Sequence, residues 1–179
     1  MTPNPTIVPQ RGVGMLEVLI TLLVLSIGLL GMAALQARGQ QAEMESYQRA
    51  QALILLEDMS NRMNTNRAAA VSNCYLGTFG TGPAFVAPNC NTRADADLQA
   101  WDALLRGAAE TLGGNQVGAM IGARGCIIRL ASNQYEISVA WQGLSATFAP
   151  AGNACGQNLY GNETQRRVVT RTVRYATLN

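Results

Sequence analysis

Histidine and lysine are both absent from this 179-residue chain. Without histidine there is no imidazole general base, no imidazole metal ligand, and neither a Ser-His-Asp nor a Cys-His nucleophile. All 13 basic residues are arginine, and 11 acidic residues leave a formal charge of +2. That balance sets up no strong field, and no block of like charge is long enough for a nucleic-acid groove. Proline is missing throughout Val13 to Asn73. No phosphate loop occurs either, since Gly118-Ala119-Met120-Ile121-Gly122 lacks the lysine and hydroxyl signature. Asp95, Asp97 and Asp102 lack the spacing and closing glutamate of a calcium loop. No cofactor is expected, and nothing in the pattern marks an enzyme.

What the chain does hold is an apolar run. From Val18 to Leu35 there are 18 residues without charge or proline, at the threshold for a transmembrane helix. Its leader, Met1 to Arg11, is polar and carries Pro3, Pro5 and Pro9. No small-residue cleavage site follows the run, and Leu35-Gln36-Ala37-Arg38 is a poor substitute. The segment therefore reads as a retained anchor, with Arg11 favouring an inside leader. Glu17 stands at its start. A carboxylate there is expensive unless it lies at the bilayer mouth or meets a partner. Gly28 and Gly31, three apart, read either as small packing sites or as ordinary membrane-helix glycines.

Beyond the run, Gln36 to about Ala70 is rich in helix formers. Tyr47, Ala50, Leu53, Ile54, Leu56, Met59 and Met63 mark a stripe at helical spacing, with Gln40, Glu43, Gln48, Glu57, Asn61 and Asn64 opposite. Glu45–Arg49 and Asp58–Arg62 are i,i+4 ion pairs. One helix from Val13 to Ala70 has 58 residues, about 87 Å at ~1.5 Å per residue. Val71 to Pro88 is broken by glycine and proline and reads as irregular. A second helix is predicted from Asn91 to about Leu112, capped by Thr92 or Asp95, with Trp101 as a core contact. Gly113-Gly114-Asn115 ends it. Strands are predicted over Val117–Ile121, Gly125–Ala131, Tyr135–Trp141 and Arg166–Tyr175, the second and third joined through Ser132-Asn133-Gln134. Gln142–Thr164 is a polar loop. Arg166, Arg167, Arg171 and Arg174 fall on both faces of the last strand, as on a solvated edge that charge protects from pairing.

Cys74, Cys90, Cys126 and Cys155 all follow the apolar run, where two disulfides are expected. A mixture of free and paired thiols, or a four-thiolate metal site, are the alternatives. Proximity ranks Cys74–Cys90 first, and closing that loop is worth about 3 kcal/mol. Cys126–Cys155 is the remaining pair. The fold class is α+β: a long N-terminal helix on a small, mainly antiparallel sheet.

Arg11-Gly12-Val13-Gly14-Met15-Leu16-Glu17, followed by the apolar run, resembles the class III signal of type IV prepilins and pseudopilins. The resemblance implies cleavage after Gly12 and methylation of Val13 by a prepilin peptidase. Residues 1–12 are then leader, 13–35 a transmembrane segment and 36–179 a periplasmic or extracellular pilin-like domain. Glu17 becomes the fifth mature residue, an assembly group that complements its own helix end or pairs with the amine of a neighbouring subunit. Val13 departs from the phenylalanine or methionine common in the family, and Ala34 stands near where major pilins often carry proline. Gly125–Leu130 and Tyr135–Trp141 are similar to the minor pilins called type IV pilus modification proteins. That family implies a structural minor pilin acting in assembly initiation or a tip complex, supporting twitching motility and adhesion. Its implied partners are other minor pilins, the major pilin and an inner-membrane assembly platform, with ATP used by a separate motor and no nucleic acid bound. Its implied location is the inner membrane, single-pass, with the domain in the periplasm, then the pilus. The alternatives are a minor pseudopilin of a type II secretion system and a membrane-anchored extracellular binding module.

Overall fold

The computed structural model describes residues 14–82, 84–109, 111–116 and 120–176. The chain divides into two units, Met1–Ala42 and Glu43–Asn179. Helix α1, Met15–Thr65, begins in the first. The second unit adds α2 (Arg67–Val71), β1 (Gly77–Gly80), α3 (Thr92–Leu105), β2 (Thr111–Leu112), β3 (Asn115–Gln116), β4 (Arg124–Ala131), β5 (Gln134–Gln142) and β6 (Arg166–Arg174). β1-β4-β5-β6 form an antiparallel sheet in that order, and β2-β3 form a separate two-stranded ladder. The layout is α+β.

The predicted helix to Ala70 breaks at Asn66. Its side chain donates to the Tyr75 hydroxyl (3.0 Å) and to Asn91 Oδ1 (3.2 Å), bonds that compete with helical continuation. The predicted stripe is also rotated. Gln48, Ala52, Leu55, Leu56, Met59, Ser60 and Met63 are buried, whereas Tyr47, Ala50, Leu53 and Ile54 are exposed. Small and apolar residues lie on several sides of this helix, so sequence period fixes no phase.

α3 packs on the sheet through Trp101. The indole is fully buried and its N–H donates to Leu55 O of α1 at 2.9 Å. Phe79 of β1 meets the ring edge-on at 5.6 Å. Asn91, rather than Thr92 or Asp95, caps α3, accepting from the backbone of Arg93 and Ala94. The helix ends at Leu105, short of the predicted Leu112. Gly107 turns left-handed (φ +97°), and the N–H groups of Gly107 and Ala108 return to Leu104 and Ala103, a glycine-terminated stop. Thr111–Leu112 is instead the first arm of a hairpin turning at Gly113-Gly114, both with positive φ. Of the predicted strand Val117–Ile121, residues 117–119 lie outside the described ones; Met120 is buried but, like Ile121, outside any strand.

β1 lies inside the stretch read as irregular. Buried Phe79 and the ladder to Arg124–Ile127 override two glycines in four residues. On β5 Tyr135, Ile137, Val139 and Trp141, which share one face, are buried, and so are Ser138 and Ala140 on the other face. The segment after β5 covers them: Cys155 and Tyr160 pack with Ala140, Cys126 and Val168. Disulfides join Cys74 to Cys90 and Cys126 to Cys155.

Three arginines read as edge decoration are engaged. Arg166 is only 2% exposed; it pairs with Glu163 (2.6 Å) and donates to the carbonyls of Asn153, Cys155 and Pro150. Arg167 reaches Glu45 at 3.2 Å, replacing the predicted Glu45–Arg49 pair. Arg171 pairs with Glu57. Asp58–Arg62 forms as predicted, at 2.8 Å.

Candidate functional site

The first unit starts from Gly14, whose carbonyl accepts from the N–H groups of Glu17 (2.9 Å) and Val18 (3.4 Å). Gly14 therefore takes the capping position of α1, and Glu17 sits in the first turn. A carboxylate there faces unpaired backbone N–H groups and the positive end of the helix dipole. Glu17 is exposed within this chain.

The following helix is long and apolar enough to cross a membrane. From Met15 to Leu35 it exposes 14 large apolar side chains, among them Leu16 (72%), Leu30 (71%) and Leu35 (71%). At about 1.5–3 kcal/mol for each Val, Leu or Ile fully removed from water, covering them is worth tens of kcal/mol. Its two hydroxyls are satisfied within the helix: Thr21 Oγ1 donates to Val18 O (2.8 Å) and Ser26 Oγ to Leu22 O (2.7 Å). Beyond the first turn the helix satisfies its own backbone groups as well, the condition for crossing hydrocarbon. A Cβ added at Gly28, Gly31 or Gly39 would meet no described residue within 4 Å.

Of the residues singled out from sequence, Gly12 and Val13 lie outside the described residues. Glu17 belongs to the first unit and all four cysteines to the second. Cys74–Cys90 fastens the start of the β1 approach to the chain just before α3, and Cys126–Cys155 fastens the long loop to β4. The described residues contain no cluster of His, Cys, Asp and Glu able to hold a metal.

Helical spacing assigns Glu45 to Arg49, but its partners lie elsewhere. Glu45 Oε1 accepts from the backbone of Leu144 and Ser145 (3.1 Å each), from Ser145 Oγ (3.0 Å) and from Arg167. Burial pushes this carboxyl up, but the Ser145 bonds and the Arg167 charge outweigh it and leave it below the usual range. Its partners lie about a hundred residues away in sequence, where no helical spacing could reveal them. No protein family, no curated protein and no solved structure matches this chain, so its own residues carry the functional reading.

Proposed function

We propose that this chain is a structural minor pilin of a type IV pilus, anchored by α1 and incorporated through it. The observation that carries the reading is a single carboxylate in the first turn of a fully exposed, membrane-length apolar helix, preceded in sequence by Arg11-Gly12-Val13. The apolar side chains suit lipid before assembly and neighbouring helices after it. Cleavage after Gly12 creates an amine at Val13, about one helical turn from Glu17. A carboxylate in apolar surroundings is costly without a partner, and an amine on a neighbouring subunit supplies one while setting register. In this reading the second unit makes lateral or tip contacts with other minor pilins and the major pilin. No step requires chemistry from this chain.

The test is the mature N-terminus in the native host, read by intact and peptide mass spectrometry for wild type and Gly12→Ala. A chain beginning at methylated Val13, lost in the variant, supports the reading. An intact chain from Met1, or cleavage near Ala37, overturns it.

A further inference from the structure

We infer that the outer edge of β6 is a docking site for an extended polypeptide segment carrying an acidic residue, which adds to the sheet as a fifth strand. This does not depend on the pilus reading.

β6 is the terminal strand of the sheet, and nothing described pairs with its far side. The phase of its ladder is fixed at both ends, where Gly143 N–H donates to Gln165 O (2.8 Å) and Tyr175 N–H to Asn133 O (2.9 Å). In an antiparallel ladder paired residues alternate between bonded and non-bonded. Arg167, Val169, Arg171 and Val173 therefore spend their backbone groups on β5, while Val168, Thr170 and Thr172 turn theirs outward. Among the described residues no backbone bond engages that outward set. Thr170 and Thr172 are exposed, and the strand runs nine residues without proline, glycine or bulge.

Sequence suggested that arginines guard this edge, but the structure removes the guard. Arg166 is buried against Glu163, Arg167 is held by Glu45 and Arg171 by Glu57. Only Arg174 lacks a hydrogen-bonding or ion-pair partner among the described residues, and it lines an open cavity with Asn133 and Tyr175. The opposite edge is better protected. β1 covers only half of β4, and the remainder carries a register shift between Arg129 and Ala131. There Arg129 Nε also binds Ala131 O at 3.2 Å. Bulges and charge are the usual defences of an edge; β6 has no bulge, and of its four arginines only Arg174 is left unpaired among the described residues.

The occupant follows from these groups. Main-chain pairing supplies affinity, and alternate side chains supply selectivity. Threonines or β-branched residues suit positions opposite Thr170 and Thr172. An aspartate or glutamate at the N-terminal end of an antiparallel segment meets Arg174.

The test uses the full, disulfide-bonded, ¹⁵N-labelled chain in detergent micelles and the acetylated, amidated peptide Asp-Thr-Val-Thr-Ile-Thr-Val. At about 1 mM peptide, a concentration suited to a weak strand contact, amide exchange at Val168, Thr170 and Thr172 should slow by roughly tenfold. The already bonded Val169 and Arg171 should change little. N-methylation of alternate peptide residues should abolish the effect, as should Thr170→Pro, which removes an outward donor and leaves the ladder to β5 intact. Replacing the peptide's aspartate by lysine should weaken binding roughly fivefold, a distinction that Arg174→Gln should erase. Absence of protection with the aspartate peptide, or equal protection by the N-methylated one, overturns the proposal. Concentration-dependent protection of Thr170 and Thr172 without peptide also overturns it, assigning the edge to a second copy of this chain.

Discussion

Gly125 lies flat beneath the far end of the Trp101 indole. A Cβ at this position would collide with Cη2 and Cζ3 of the ring and approach Leu105 Cδ1 to 2.7 Å. Its φ is outside the left-handed region, so Gly125→Ala probes space rather than backbone strain. Trp101 cannot retreat cheaply: it is fully buried and tethered by the Leu55 carbonyl. Overpacking of this kind typically costs about 1–3 kcal/mol, and collision with a fixed ring puts the expected value near 3. With a urea slope of about 2 kcal/mol per molar, the midpoint should fall by about 1.5 M. Trp101→Phe alone loses the indole N–H bond and the outer ring, about 2–3 kcal/mol. The double variant should cost less than the sum by about 1–2 kcal/mol, because phenylalanine does not reach the new methyl. Urea unfolding of the oxidised full chain in micelles, followed by near-ultraviolet circular dichroism, measures all three. Additive losses, or a shift below about 0.3 M for Gly125→Ala, would refute the packing argument.

Glu45 is held below its ordinary pKa, so its contribution is present above the unfolded value and is lost as pH falls through the folded one. Amide exchange over residues 45–52 and 144–147 should therefore accelerate on acidification in wild type, and already be fast near neutral pH in Glu45→Gln. Removing Cys126–Cys155 by paired serine substitution should destabilise by about 3.6 kcal/mol, against about 3.1 for Cys74–Cys90, because its sequence separation is 29 rather than 16; non-reducing urea midpoints read the order. Arg166→Lys should expose residues 150–163 to limited proteolysis, since a point ammonium cannot span the four groups the guanidinium serves.

The long elements were legible where period and composition agreed. β5 shows alternating Tyr135, Ile137, Val139 and Trp141, and α3 places Leu98, Trp101 and Leu105 on one side; both formed and buried those residues. The apolar span was legible from its lack of charge. Failures came where a distant partner decides. Asn66 leaves the helix for Tyr75 and Asn91, and β1 exists because β4 offers it a ladder. Arg166 looks like surface charge until the loop carbonyls close around it. Gly107 was the readable signal missed at the end of α3. Gly113-Gly114 suits a helix stop and a two-residue hairpin turn equally well by sequence, and the ladder of Thr111–Leu112 with Asn115–Gln116 decides for the turn.

The outer face of β5 is roofed by a segment with almost no regular structure, tied through Cys155 to Cys126. Such a roof gains little from periodic backbone bonding. Its closure is coupled to loss of two electrons and two protons by a thiol pair. Apart from that bond, the roof over Ser138 and Ala140 rests on Tyr160 and on the loop carbonyls that Arg166 gathers. The covalent part of this closure is therefore set by the surroundings' redox poise, whereas the packing part forms as the chain collapses.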